Sequence, residues 1–271
     1  MRHSEWITAG YFLYLLLPIW LGRSRRTRLM LTVWALALAM VVIAVSQLPD
    51  GAPWRGVRDW APGLYLLAGY WLPGRLFKDP NTRLERWLLA TDNSWLGPRV
   101  VSATLGLPSI VREYLELTYL LCYPLVPLAF GVLYFRTHDP TNVSVIVDSY
   151  WTAVLLAVFS CYGLLPWLPT RPPRALLPVA TTSHSSIRRL NRLVLDRASI
   201  QVNTFPSGHV AAALASALAV GELLPLAGMI IGLLAASIAV AAALGRYHYA
   251  ADVVLGGVIA VLAFAVSSWI F

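Results

Sequence analysis

Charge is what this 271-residue chain has least of: 13% of its residues are Asp, Glu, Lys or Arg, against roughly 25% in an ordinary soluble domain. So few polar side chains cannot cover a water-facing surface, which excludes a soluble globule and leaves lipid as the natural neighbour. Acidic residues are scarcer still, 13 against 21 basic ones, and the formal charge of +8 is nearly all arginine. Cysteine is limited to Cys122 and Cys161, both inside apolar runs and without redox or metal-binding spacing. They read as buried small side chains and exclude a disulfide framework or thiolate centre. No heptad, solenoid period or low-complexity tail is present. The first apolar run lacks a small-residue cleavage site, so it reads as a retained membrane segment and not a signal peptide.

What fills the chain instead is hydrocarbon, with 58% hydrophobic residues and a mean hydropathy of +0.65. Apolar runs at 6–21, 29–47, 114–135, 150–168, 209–224, 226–244 and 251–271 approach or reach the about 17–25 residues that cross a bilayer. An eighth, 61–77, is trimmed by Pro62, Pro73 and Gly74 and reads either as a span or as a re-entrant or interfacial helix. Eleven Trp and twelve Tyr suit aromatic belts at the two interfaces. The arginines sit in short loops between apolar runs, which favours a membrane surface and an anionic substrate over nucleic acid.

Two polar connections stand out. Residues 81–89 read as a short amphipathic helix on the membrane surface, and Ile187 to Ala198 as a basic amphipathic helix in the 174–204 loop. A break at Leu224-Pro225 predicts a tight hairpin between two helices. His138 and His184 read as loop histidines, Asp148 and Glu222 as end-of-helix acids, and Asp196 as a partner for nearby arginines. If 61–77 spans, the Arg23–Arg28 run, the loop after residue 78 and the 174–204 loop share one side of the membrane. If it does not, they are divided.

The chemistry concentrates between Phe205 and Gly256. Phe205-Pro206-Ser207-Gly208-His209 opens one apolar run, and Gly245-Arg246-Tyr247-His248-Tyr249-Ala250-Ala251-Asp252 lies between two others. Ser207 is a natural N-cap and Gly208 permits close backbone approach, so a helix start there offers N–H groups to an anion. His209 stands one residue on, able to donate a proton to a group held at that start. His248 and Asp252 are four apart, on one face if the segment is helical. The carboxylate can accept from one ring nitrogen and leave the other free as a nucleophile. Arg246 adds a permanent charge suited to phosphate oxygens. These are the parts of a phosphoryl-transfer site that needs no metal, and the spacings of zinc sites are missing.

Phe205-Pro-Ser-Gly-His209 with Arg246-Tyr-His-Tyr-Ala-Ala-Asp252 resembles the type 2 phosphatidic acid phosphatase superfamily. That family holds lipid phosphate phosphatases, undecaprenyl diphosphate phosphatases and inositolphosphorylceramide synthases. The resemblance implies an all-α polytopic membrane bundle, a six-helix catalytic core behind extra N-terminal helices. The chain would form one integral membrane domain, with 1–60 as the extra helices and the core within 61–271, in a bacterial cell membrane. It also implies a phosphohistidine mechanism without cofactor: His248 attacks phosphorus, Asp252 orients it, and His209 protonates the leaving oxygen. Ser207, the Gly208 amide and arginines would hold the phosphoryl oxygens.

The family's upstream basic motif falls on residues 166–174, where Arg171-Pro172 supplies its Arg-Pro. The lysine usual seven residues earlier is Leu164, and the Ser-Arg pair usual ahead of the second histidine falls on Ala241 and Ala242. The shortened Arg-Tyr-His-Tyr form and the Pro172-Pro173-Arg174 run are more similar to the inositolphosphorylceramide synthase branch, in which Arg174 in place of Arg171 would bind phosphate. The implied substrate is a membrane lipid: phosphatidate, a polyprenyl diphosphate, or an inositol or sphingoid lipid. With water as acceptor the protein is a lipid phosphatase. With a lipid or polyol hydroxyl it is a phosphotransferase. A silent transporter or scaffold that keeps the bundle is the alternative of another class.

Overall fold

The computed structural model describes residues 1–22, 25–49, 51, 53–77, 79–97, 107–136, 142–176, 186–200 and 202–271. His138 and His184 lie outside them, as does the side chain of Asp196. Among the described residues the chain is helical and no strand forms; Thr170 and Asn203 make a single antiparallel bridge. Among the described residues four helices are long and apolar enough to cross a membrane: α3 (Arg25–Ser46), α8 (Val143–Leu164), α12 (Pro225–Leu244) and α13 (Ala250–Ile270). The protein is an all-α polytopic integral membrane protein.

The centre of the bundle is α8, apolar on every face and more enclosed than the other three, as a helix surrounded by helices should be. Its Tyr150 and Trp151 pack with Phe130 of α7 (Cys122–Arg136). Around α8 stand α1 (His3–Tyr14), α4 (Trp54–Gly74), α11 (Gly208–Leu223) and α13. Along α11 the buried residues are mostly alanine, from Ala211 to Ala219, and small side chains let backbones approach where lipid supplies no hydrophobic drive. That helix consequently touches α7, α8, α12 and α13 at once. The hairpin expected at Leu224 is present, with Pro225 at the first turn of α12, where its missing N–H is harmless.

Two expected spans are broken, each for a local reason. The run at 6–21 divides into α1 and α2 (Leu16–Gly22), because Pro18 cannot donate to the carbonyl of Tyr14. The run at 114–135 divides into α6 (Ser109–Leu120) and α7, bent by 62° at Leu121, just before Pro124. Residues 81–89 belong to a longer helix, α5 (Thr82–Trp95), capped by Asn81, whose side chain accepts from the Leu84 N–H at 3.0 Å. The helix read from Ile187 is α10 (Ser186–Ala198).

Contacts at its two ends show that α4 runs the length of the bundle. At one end Arg58 pairs with Glu5 at 2.6 Å and Asp59 with Arg2 at 2.6 Å, while the Asp59 carbonyl accepts from Trp151. Asp148 caps the start of α1 beside them, accepting from the His3 and Ser4 amides at 2.8 and 2.9 Å. At the other end the Gly69 carbonyl accepts from Tyr11, and Tyr70 meets Ser199. The starts of α1, α4 and α8 therefore share one face. The end of α2, the start of α3, the start of α5 and residues 202–207 share the other. Single cysteines at Arg26 and Asp79, both exposed, are expected to react with an impermeant maleimide from the same side of sealed vesicles. A cysteine appended after Phe271 should react only from the opposite side. Labelling of Arg26→Cys and Asp79→Cys from different sides would show that α4 does not cross.

Candidate active site

The two motif segments meet on that second face. Ser207 N-caps α11, its Oγ accepting from the Val210 N–H at 3.4 Å, and this puts His209 in the first turn. His248 lies between α12 and α13, where the backbone is bent by Arg246 at φ 58°, a left-handed conformation unusual for a side chain with a Cβ. The bend lets the Tyr247 and His248 amides both donate to the Ala242 carbonyl at 3.0 Å. The result is that the rings of His209 and His248 stand 5.7 Å apart between centroids, nearly perpendicular.

Behind His248 is Asp252, with no exposed surface. Its Oδ2 is 3.4 Å from His248 Nδ1, a close approach without hydrogen-bond alignment, since Nδ1 has no bonded partner. The same oxygen accepts from Asn203 Nδ2 at 2.8 Å and from the Tyr249 N–H at 3.1 Å. Asn203 is itself fixed by Thr170, through Oγ1 at 3.0 Å and the backbone bridge. This arrangement leaves the other ring nitrogen of His248 away from the carboxylate. Burial, and secondarily the charge of Arg174, pushes the His248 imidazole down to about 3, so the unliganded ring is neutral and nucleophilic at neutral pH.

Of the three arginines singled out in the sequence, Arg174 is the one brought to the histidines. It lines a small cavity with His209, His248, Tyr70, Ser199 and Asn203. Its guanidinium lies 4.7 Å from the Tyr247 ring centroid, and Nη1 is buried with no hydrogen-bond partner. Tyr247 is stacked on Tyr119 at 3.7 Å and donates to Glu116 at 2.6 Å, which also accepts from Asn191 of α10 at 2.8 Å. The arginine is thus supported by an aromatic pair beside the two histidines. Arg174 is half-buried, and a cation set beside that cavity is suited to an anion.

Arg171 is placed elsewhere. It forms a forked ion pair with Glu85 of α5 at 3.0 and 2.9 Å and lines no part of the cavity. The Arg171 carbonyl accepts from the Tyr249 hydroxyl, so this residue ties α5 to the start of α13. Arg246 also stays off the cavity wall. Its carbonyl accepts from the Arg174 N–H at 3.2 Å, and its charge is felt by Asp92. Burial pushes the Asp92 carboxyl up to about 6 against the opposing Ala250 amide and Arg246. The two helix-start amides have partners inside the protein: Ser207 N–H donates to the Asp252 carbonyl at 3.1 Å, and Gly208 N–H to Thr204 Oγ1 at 3.3 Å. Their visible work is close packing. A Cβ on Gly208 would strike Tyr162, and one on Gly256 the Ser207 carbonyl.

Several participants are absent from the sequence reading. Asn203 sits four residues before Ser207 with no periodicity to mark it, and Tyr70 and Tyr119 are aromatic residues in apolar runs like many others. Glu116 carried a usable signal, an acid within an apolar run, where charge is costly and tends to be retained for a purpose.

A helical membrane bundle that sets a carboxylate-backed histidine beside a second histidine and an arginine is an arrangement suited to chemistry within a membrane. A model of the PAP2 superfamily matches residues 82–266. The chain belongs to that superfamily, and family membership makes it an enzyme of the phosphatase or phosphotransferase kind, acting on a lipid phosphate in the membrane. Searches of curated proteins and of solved structures returned no match.

Two outcomes test this geometry. A histidine held neutral in the fold contributes stability that is whole above 6.5 and is lost as pH falls toward 3. The melting temperature in detergent should therefore drop on acidification through that window, and drop less for His248→Gln. Asn203→Ala should cost about 1–3 kcal/mol of stability by removing a donor from a buried carboxylate, and lower kcat more than it raises KM. A pH-independent melting difference between wild type and His248→Gln would contradict the first.

Proposed function

We propose that this protein is a lipid phosphatase working by metal-independent phosphoryl transfer through a phosphohistidine on His248. The observation that carries the reading is the unpaired Arg174 Nη1 beside two imidazoles 5.7 Å apart. Arg174 neutralises phosphoryl charge as it develops, which preorganised donors in a low-dielectric site do well. The free ring nitrogen of His248 attacks phosphorus, and Asp252 stabilises the cation that forms on the ring. His209 gives its proton to the departing lipid oxygen, then takes one from the water that cleaves the phosphohistidine and releases phosphate. Ser207 and Gly208 act by seating His209, Arg171 by anchoring α5, and Arg246 by adding positive charge at the rim and holding the bend that aims His248.

A second reading rests on one observation: Arg174, and not Arg171, lines the cavity. That is the placement associated with the inositolphosphorylceramide synthase-like branch, in which an alcohol replaces water as acceptor and a headgroup is transferred. Phosphatidate, a polyprenyl diphosphate, and inositol or sphingoid lipids are the substrates to try, with EDTA present throughout. Release of free phosphate identifies the phosphatase; transfer of labelled headgroup to added alcohol identifies the transferase. His248→Ala should abolish turnover. Arg174→Ala should reduce kcat/KM by on the order of 100-fold, the scale for losing one charge-stabilising donor, while Arg171→Ala should act mainly on stability. Undiminished turnover by His248→Ala would remove the nucleophile from the proposal.

A further inference from the structure

The catalytic cavity is not isolated. Tyr70 and His209 line it on one side and, on the other, line a much larger cleft of about 650 Å³ enclosed by α3, α4, α7 and α8. That volume falls within the roughly 300–1,000 Å³ of small-molecule sites. Among the described residues no Asp, Glu, Lys or Arg lines it. Its walls are Val41 and Val45 of α3, Leu64 and Leu67 of α4, and Tyr123 and Val126 of α7, among other apolar and aromatic groups. The lining follows α4 from Val57 to Tyr70, which at about 1.5 Å per residue is about 20 Å along the helix axis. The cleft therefore begins at His209 and is longer than one leaflet of a hydrocarbon core roughly 30 Å thick.

We propose that this cleft holds a hydrocarbon chain of the lipid whose phosphate sits between His209 and His248, and that α3 and α4 gauge the chain length accepted. The proposal rests on the phosphoryl-transfer reading above. The occupant follows from continuity and chemistry. One end of the cleft is a reacting imidazole, the walls lack a charged partner for any polar ligand, and its long axis follows the bundle. The walls from α3 and α4 come from residues before 82, ahead of the segment that matches the superfamily. The general chemistry and the chain selectivity thus reside in different parts of the sequence. Tyr70 stands where they meet. Its hydroxyl bonds Ser199 Oγ at 3.2 Å and accepts from the Ile200 N–H at 3.2 Å, so a lipid spanning both spaces passes beside that contact.

Leu67 is 44% exposed and Leu128, which lies outside the cleft, 60%, so a larger side chain at either is compatible with folding. Wild type, Leu67→Trp and Leu128→Trp are to be compared on dioctanoyl and dioleoyl phosphatidate and on farnesyl and undecaprenyl diphosphate. For whichever pair the enzyme accepts, Leu67→Trp should lower kcat/KM on the long-chain member about tenfold relative to the short one, about 1.4 kcal/mol of selective binding. Leu128→Trp should leave the ratio at its wild-type value. In parallel, a lipid phosphate carrying a photoreactive group at its chain end is to be cross-linked to the protein. Labelling within residues 54–74 should be competed by dioleoyl phosphatidate and weakened by Leu67→Trp. An unchanged chain-length ratio together with unchanged labelling overturns the cleft assignment. Absence of His248-dependent turnover on all four lipids, with cleft labelling intact, overturns the phosphoryl-transfer reading instead.

Discussion

A carboxylate with no access to solvent is the constraint around which the site is built. Asp252 is the single point at which the segment before α11, the bend after α12 and the start of α13 are joined. Asn203 and the Tyr249 amide satisfy one of its oxygens, its backbone carbonyl receives the Ser207 N–H, and His248 lies against it. A buried carboxylate is tolerated only when donors converge on it. Meeting that requirement brings the imidazole of one segment to face the imidazole of another. The isolated bridge between Thr170 and Asn203 belongs to the same account, because it fixes the donor.

The bundle serves this joint. With α8 at its centre and an alanine-rich α11 beside it, the helices approach closely enough for Gly208 to lie against Tyr162 and Gly256 against the Ser207 carbonyl. At the opposite face, Arg2, Glu5, Arg58, Asp59 and Asp148 hold the starts of α1, α4 and α8 together through paired charges and a borrowed helix cap. One face thus carries its opposite charges in pairs. The other sets Arg174 beside two imidazoles in one cavity, and that grouping of titratable groups distinguishes a binding site from a structural cluster.

The helices α5 and α10 show how surface elements support a buried centre at second hand. Glu85 of α5 takes Arg171, and Asp92 receives the Ala250 amide at the first turn of α13. Asn191 of α10 holds Glu116, which holds Tyr247, on which Arg174 rests. Both helices read from the sequence as amphipathic surface elements. Their polar faces turn out to be spent on the start of α13 and on the arginine's support.

What the residues alone determined is the membrane class, the hairpin at Pro225, the cap at Ser207, and the closeness of His248 to Asp252. Each follows from local spacing: run length against bilayer thickness, a missing N–H, a side-chain oxygen at a helix start, and a histidine four residues before a carboxylate, although His248 lies just ahead of α13 and not on it. Proline's local effect was equally readable at Pro18 and Pro124, though the long apolar runs around them read as single spans. Only the tertiary structure decided that α4 crosses the bundle, that Arg174 and not Arg171 or Arg246 reaches the histidines, and that Asn203 donates to the carboxylate. It also decided that the Ser207 and Gly208 amides are used within the protein. The physical reason is common to these: which arginine meets a phosphate, or which amide meets a carboxylate, depends on how separate segments pack. Sequence spacing fixes neighbours along a helix and says nothing of those across it.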